Sequence, residues 1–149
     1  MEFISICEKD IQGDNFTPLN VVFTLVYSNK GYLLVQNRQS NFWELPSGST
    51  KLHEKLRDCA IRRCRETSGQ KVIELEFMGI CKIIFENRSQ SEYFAIYVTE
   101  LEEEEQFIGN EEIKDMKWYK PGDDIKPICT TCSNIIQFYE SECSKVEIQ

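Results

Sequence analysis

The chain contains no long apolar run: no stretch of its 149 residues approaches the length of about 18 residues that marks a membrane-spanning helix. It also lacks an N-terminal pattern of basic residues followed by apolar ones, which would mark a secretory leader. The sequence therefore predicts a cytoplasmic protein with no membrane partner.

Basic residues are scarce relative to acidic ones. Lys and Arg number 17 against 25 Asp and Glu, which gives a formal net charge of −8 and a pI near 4.8. This balance opposes general binding to nucleic acid, although it permits a phosphate ligand that arrives with its own cations. We expect the partner to be a small molecule or another protein.

Histidine is almost absent, and the seven cysteines follow no regular spacing. An odd, irregular set predicts reduced thiols rather than a disulfide framework. Cys129 and Cys132 have the spacing of a zinc or thiol-redox pair, but no second such pair exists and the one histidine, His53, is distant in sequence. A position in the core or at a helix start is the favoured interpretation, and the zinc or redox module is the alternative.

The length fits one domain that spans residues 1–149, and 41% hydrophobic residues are ordinary for a globular protein. Runs of apolar and β-branched residues predict strands, and Gly79 predicts a bulge in the third of them. The predicted strands cover residues 21–27, 32–36, 72–85, 92–99 and 116–119, with a hairpin turn around residues 87–90. Helices are predicted over residues 53–67 and from Thr130 or Thr131 onward. A mixed sheet flanked by helices predicts an α/β sandwich.

The most informative pattern lies between residues 48 and 69. Gly48 is followed after five residues by Glu54, and seven residues later the sequence continues Arg62-Arg63-Cys64-Arg65-Glu66-Thr67-Ser68-Gly69. The segment is entered through Phe42-Trp43-Glu44-Leu45-Pro46-Ser47. Residues 42–50 have a loop composition, the next stretch lacks Gly and Pro, and Gly69 suits a left-handed helix cap. Loop, helix and loop follow from the residues themselves.

This pattern resembles the signature of the Nudix hydrolases, which cleave nucleoside diphosphates linked to another moiety. The resemblance implies an α-β-α sandwich with a mixed β-sheet and a loop-helix-loop motif. Three positions depart from the signature: Arg63 and Thr67 stand where the family has glutamates, and Gln70 stands where it has an aliphatic residue.

The resemblance also implies roles for individual residues. Gly48 would offer its carbonyl oxygen to a metal, Glu54 would match the isolated glutamate of the signature, and Arg62 would hold the neighbouring carboxylates in place. Glu66 would be the remaining ligand on the helix, so Glu54, Arg62 and Glu66 are the candidate catalytic residues.

The family often adds a carboxylate from a loop beyond the helix. Glu112 is our choice over Glu111 and over the acidic run at residues 102–105, for which a solvated loop is the favoured interpretation. Gly48, Glu66 and Glu112 then form the candidate metal set.

Helix geometry explains why the departures matter. Positions 63, 66 and 67 fall within a sector of roughly 100°, so three carboxylates there would converge on a hard cation such as Mg²⁺ or Mn²⁺. Arg63 and Thr67 remove that charge, and we expect the metal to bind weakly, if at all. Arg63 is either a direct clamp for a diphosphate or a solvated surface arginine. Arg38 is a second candidate phosphate contact.

The sequence thus predicts a Nudix-family hydrolase that cleaves a pyrophosphate bond in a nucleoside diphosphate-linked compound, with weak, divalent-metal-dependent turnover. The alternative is a catalytically inactive Nudix domain that binds a nucleotide or a protein partner. The pattern leaves enzymatic activity open, because function depends on the groups present at the site and not on the fold.

Overall fold

A computed structural model describes residues 1–11, 16–87 and 89–148, with residues 144–148 described by their backbone alone. Its centre is a mixed sheet of eight strands, accompanied by two long helices and a short 3-10 helix at Glu8–Asp10. The strands are β1 (Glu2–Ile4), β2 (Val21–Ser28), β3 (Gly31–Asn37), β4 (Trp43–Glu44), β5 (Ser47–Ser49), β6 (Glu76–Ile83), β7 (Glu92–Glu100) and β8 (Ile113–Tyr119). The helices are α1 (Leu56–Ser68) and α2 (Thr130–Ile148).

The main path of the sheet runs β1-β6-β7-β2-β3-β4. Strands β2 and β7 are parallel, whereas the other pairs are antiparallel. Strand β5 pairs with β2, and β8 pairs with β3. These two additional pairings bring the segment that enters α1, and strand β8 itself, to the central strands.

Helix α1 covers one face of the sheet. Cys59, Ala60 and Cys64 lie one turn apart or adjacent, so they share the apolar side of the helix and are fully buried. They pack in one cluster with Val22 and Leu33 from the sheet. This packing fixes the orientation of α1, so its opposite side carries the charged residues of the candidate site.

Helix α2 covers the other face. Cys132, Ile135 and Ile136 are buried with Leu34 and Leu45 in a second cluster. The sheet therefore lies between two helices, which confirms the predicted α-β-α sandwich with a mixed sheet.

The observed helix boundaries follow local chemistry. Helix α1 begins at Leu56 and not at His53, because residues 51–54 form a turn in which Lys51 and Glu54 bond to each other. His53 has a φ of 66°, which a continuing helix cannot accommodate. At the other end, Gly69 adopts a φ of 76° and its N–H donates to the Arg65 carbonyl oxygen, as predicted for a left-handed cap.

The third predicted strand is shorter than expected, since β6 starts at Glu76 rather than at residue 72. Its pairing with β7 shifts register between Phe77 and Gly79, which confirms the predicted bulge. The predicted hairpin turn includes Arg88, which lies outside the described residues. Among the residues that the structure describes, no helix has the length and apolarity that crossing a membrane requires.

Candidate functional site

The candidate site is built where β5, the loop after it and α1 meet. Gly48 pairs with Val22 of the central strand β2, and the Cys59 Sγ lies 3.8 Å from the Gly48 carbonyl oxygen. A Cβ at position 48 would lie 2.2 Å from the Nε of Arg63. A larger residue here would have to displace the Arg63 side chain, which crosses directly over the strand.

Arg62 holds the two glutamates that the sequence singled out. Its Nε donates to the Oε2 of Glu54 at 2.8 Å, and its Nη2 donates to Oε1 at 2.9 Å, so the pair is bidentate. Its Nη1 donates to the Oε1 of Glu66 at 2.9 Å, and its Nη2 also reaches the Ser49 carbonyl oxygen at 2.9 Å. The hydrogen bonds from Arg62 lower the pKa of Glu54 to about 2. Arg62 thus ties the loop to the helix, while the catalytic roles of these residues stay predictions.

Arg63 makes three separate contacts. Its Nε donates to the Ser47 carbonyl oxygen at 2.7 Å, its Nη1 to the Oε2 of Glu66 at 2.9 Å, and its Nη2 to the Oε2 of Glu112 at 2.5 Å. Burial opposes the charge, but the contacts with Glu112 and Glu66 outweigh it and raise the pKa of Arg63. The guanidinium therefore lies among groups that the resemblance assigns to a metal.

These contacts bear on both interpretations of Arg63. Its side chain is 16% exposed, so it is not a freely solvated arginine. A diphosphate could engage the guanidinium only by displacing a protein acceptor from one of its three nitrogens. The assignment of Arg63 to substrate binding remains a prediction.

Glu112 reaches the site through a fixed loop. The backbone N–H of Arg38 donates to the Glu112 carbonyl oxygen at 2.9 Å, and the Arg38 Nε donates to the Asn110 carbonyl oxygen at 2.6 Å. Arg38 therefore positions this loop, and its role as a phosphate contact stays a prediction. Asn110 is a residue that the sequence reasoning missed: its Nδ2 donates to the carbonyl oxygens of Glu66 and Thr67, and its Oδ1 accepts the Glu112 N–H. The Gly-Asn turn signal just before the two glutamates could have indicated it.

The other acidic residues make different contacts. Glu111 is exposed. Glu104 contacts Lys30 and Trp118, and the backbone N–H of Glu105 donates to the Oε1 of Gln70 at 2.8 Å. The Nε2 of Gln70 donates in turn to the Glu105 carbonyl oxygen at 2.8 Å, so both polar ends of this fully buried side chain are satisfied. This pairing explains how an amide occupies a position that the signature gives to an aliphatic residue.

Thr67 does not share the charged side of the helix. Its side chain is 2% exposed, and its hydroxyl donates to the carbonyl oxygen of Arg63 at 2.6 Å. The side chains at positions 63 and 66 contact each other, whereas the one at 67 is buried. Positions 63, 66 and 67 were expected to converge on one point. With the residues present, only the side chains at 63 and 66 do so.

Glu44 is a further acidic group near Arg63. Burial raises the pKa of Glu44, an Asn37 hydrogen bond lowers it, and the negative charge of Glu112 raises it further. In the sequence, Glu44 stood out only as part of residues 42–47, which lead into the motif. Its half-buried carboxyl is nevertheless an electrostatic neighbour of the site.

The carboxylates that the resemblance assigns to a divalent cation are already engaged by arginines. Both carboxylate oxygens of Glu66 accept hydrogen bonds from Arg62 or Arg63, and the Oε2 of Glu112 accepts one from Arg63. Across the described ranges, no group of three or more His, Cys, Asp or Glu side chains is arranged to hold a metal ion.

A cavity of about 790 Å³ lies between the loop after α1, which includes Lys71, and the end of β7. None of the candidate site residues lines this cavity.

The mixed sheet between two helices, with a glycine loop and an arginine-glutamate network that joins this loop to α1, defines the class of Nudix-fold proteins. The NUDIX domain family matches residues 17–127, so the chain belongs to the Nudix hydrolase family.

Solved structures agree with this fold. The NUDIX domain of Shewanella oneidensis NrtR, solved with ADP ribose, superposes with a TM-score of 0.70 at 18% identity, covering 87% of this chain and 94% of that one. The Bacillus subtilis pyrophosphohydrolase BsRppH gives a TM-score of 0.71 at 17% identity over 91% and 87% of the chains. A MutT NUDIX hydrolase from Burkholderia pseudomallei gives 0.67 at 13% identity over 80% and 96%. None of the curated proteins compared with the sequence matches it.

Proposed function

We propose that this chain binds a compound in which a nucleoside diphosphate is linked to another moiety, and that it hydrolyses the pyrophosphate bond only slowly. The observation that carries the proposal is the position of Arg63. Its guanidinium donates hydrogen bonds to Glu66, Glu112 and the Ser47 carbonyl oxygen. A weakly held Mg²⁺ or Mn²⁺ would have to compete with a resident positive charge for the same oxygens.

Two further observations support a role in nucleotide chemistry. The network of Glu54, Arg62 and Glu66 is complete, and the hydrogen bonds from Arg62 lower the pKa of Glu54 further below the physiological range. In addition, two structures of the same fold are described as a NUDIX domain with ADP ribose and as a pyrophosphohydrolase. The proposal includes a small-molecule partner and no nucleic acid, as the charge balance predicts, and a cytoplasmic location.

A second candidate is a catalytically inactive Nudix domain that binds a nucleotide or a protein. It is favoured by the same arginine contacts, because Glu66 has no carboxylate oxygen that is free of an arginine partner. The slow hydrolase and the inactive domain differ in whether they cleave the ligand. Both can bind a nucleotide equally well.

The test combines binding and product release on one panel. Calorimetry and chromatographic product analysis would use ADP-ribose, nucleoside triphosphates, dinucleoside polyphosphates and nucleotide sugars, with Mg²⁺, Mn²⁺ or a chelator. We expect at least one compound to bind, with slow cleavage that the chelator abolishes. Glu66→Gln should remove this cleavage, and Arg65→Gln, an exposed change on the same helix, should not.

The outcomes separate the candidates. Binding without cleavage under any metal would favour the inactive nucleotide-binding domain. Failure of every compound to bind would overturn the nucleotide proposal. Rapid cleavage would contradict the inhibitory position of Arg63.

A further inference from the structure

A pair of cysteines lies at the start of α2, on the opposite face of the sheet from α1. Cys129 immediately precedes the helix, and Cys132 lies in its first turn. The backbone N–H of Cys129 donates to the Trp43 carbonyl oxygen at 2.9 Å, and the Leu45 N–H donates to the Cys132 Sγ at 3.3 Å. Both residues are therefore anchored to the strand segment that carries Glu44.

The two thiols contact each other but differ in access. Only two residues separate the two cysteines across the start of the helix, and Cys132 and the adjoining backbone are the groups that lower the pKa of Cys129. Cys129 is half-buried, whereas Cys132 is fully buried. An attacking reagent can thus reach Cys129 first.

The same contacts separate the protonation states of the pair. The hydrogen bond from Cys132, with help from the two backbone N–H groups, lowers the pKa of Cys129 to about 6 although burial opposes it. The contact with Cys129, together with burial, raises the pKa of Cys132. One thiol is therefore ionised and partly accessible near neutral pH, while its neighbour retains its proton.

The other described cysteines lack this combination. Cys59, Cys64 and Cys81 are buried, and burial raises the pKa of each thiol to between about 11 and about 12. Cys7 is exposed and Cys143 is half-buried, but neither is paired with another thiol in the described contacts. The pair at the start of α2 therefore differs from the other cysteines in two ways: its thiols are neighbours, and one of them is partly accessible.

We propose that Cys129 and Cys132 form a redox site that exchanges with small disulfides of the glutathione disulfide type. The Cys129 thiolate attacks one sulfur of the small disulfide, forms a mixed disulfide and expels the other half as a thiolate. That thiolate takes the proton of Cys132. The Cys132 sulfur then attacks the Cys129 sulfur, closes the internal disulfide and expels the second thiolate, which is protonated by water. Two electrons pass from the pair to the small disulfide.

The backbone permits this closure. Residues three apart at the start of a helix have Cα atoms roughly 5 to 6 Å apart, which is within the range of protein disulfides. The chemistry needs no metal, and the described residues supply no third ligand group that would make the pair a zinc site. The proposal does not rest on the nucleotide chemistry proposed at α1.

The direct experiment uses the unmodified protein. It is incubated with oxidised glutathione, remaining thiols are alkylated, and peptides are mapped by mass spectrometry. We expect an internal disulfide between Cys129 and Cys132 that reduced glutathione reverses. At pH 7 we expect iodoacetamide to alkylate Cys129 about tenfold faster than the more exposed Cys7.

Single variants test the order of the steps. Cys132→Ser should trap glutathione on Cys129, because the resolving thiol is gone, and Cys129→Ser should leave Cys132 unreacted. Cys143→Ser, on the same helix, is the matched control and should change neither result. A wild-type protein that forms no internal disulfide, or one that retains glutathione on Cys129, would overturn the proposal.

Discussion

Two neighbouring residues of α1 divide the candidate site into halves with opposite consequences. Arg62 joins Glu54 and Glu66 to the Ser49 carbonyl oxygen, and so holds the carboxylates that the signature retains. Arg63 joins the same Glu66 to Glu112 and Ser47, and so neutralises carboxylates that a cation would otherwise need. We therefore expect two identical side chains to have opposite effects, with Arg62 supporting the site and Arg63 weakening cation binding there.

The formal charges of the network give the size of the difference between the two arginines. Glu54, Glu66 and Glu112 face two guanidinium groups, which leaves a single formal negative charge in the network. A glutamate in place of Arg63 would leave three. Because attraction to a divalent cation scales with the local charge, the substitution at position 63 has a larger electrostatic effect than any other departure in the motif.

The largest expected effect follows from reversing that charge. Arg63→Glu should raise metal affinity at least tenfold and metal-dependent turnover by about a hundredfold, since positioned charges contribute several kcal/mol to such sites. Calorimetry and the product assay measure both. Arg65→Glu makes the same change of charge at an exposed position of α1 and should do neither. If Arg63→Glu folds and binds Mg²⁺ but cleaves nothing, the defect extends beyond Arg63.

The second departure from the signature should behave differently. Thr67→Glu would place a carboxylate at a position that is almost fully buried. We expect the free energy of unfolding to fall by about 2 kcal/mol. Urea unfolding measures the loss, and Arg65→Glu should cost less than about 0.5 kcal/mol. A Thr67→Glu variant as stable as its control would show that the site can open to admit a second carboxylate.

Removing the supporting arginine should lower stability. Arg62→Ala leaves Glu54 and Glu66 without their shared cation and the Ser49 carbonyl oxygen without its donor. We expect Tm to fall by about 4 °C, against about 1 °C or less for Arg65→Ala. An unchanged Tm in Arg62→Ala would mean that these partly exposed ion pairs contribute nothing to folding.

The smallest effect is a pH dependence. The pKa of Glu54 is lower in the folded protein than its ordinary value, so this group stabilises the fold above its ordinary pKa and loses that contribution as acid protonates it. The loss falls between pH about 4.5 and about 2. Glu54→Gln should therefore flatten the decline of the free energy of unfolding in this range, as measured by urea titrations at successive pH values. An equally steep decline in the variant would contradict the role of Glu54.

The sequence predicted the sandwich because its signals are local. Apolar strand patterns, the loop before α1 and the Gly69 cap each depend on a few adjacent residues. The structure confirms the cap and places a strand in each predicted region, although β6 is shorter than predicted and the short strands β1, β4 and β5 were not predicted. The start of α1 was predicted too early, because the Lys51–Glu54 turn uses a side-chain bond that composition does not reveal.

The candidate site was predicted less completely, since its contacts join distant segments. Glu112 was selected from position alone, and the structure places it against Arg63. The loop contacts of Asn110 and the burial of Thr67 depend on how β8 and α1 approach each other. Helical spacing could place residues 63, 66 and 67 on one sector, but it could not show that a guanidinium occupies the space between two glutamates.

The most direct test of the role given to Arg63 is a calorimetric titration of the unmodified protein with Mg²⁺ and with Mn²⁺. If Arg63 takes the place of the metal, binding should be no tighter than about millimolar, because a cation must displace the guanidinium from Glu66 and Glu112. A micromolar site that Glu66→Gln abolishes would show that the cation and Arg63 are accommodated together. That result would contradict the central claim.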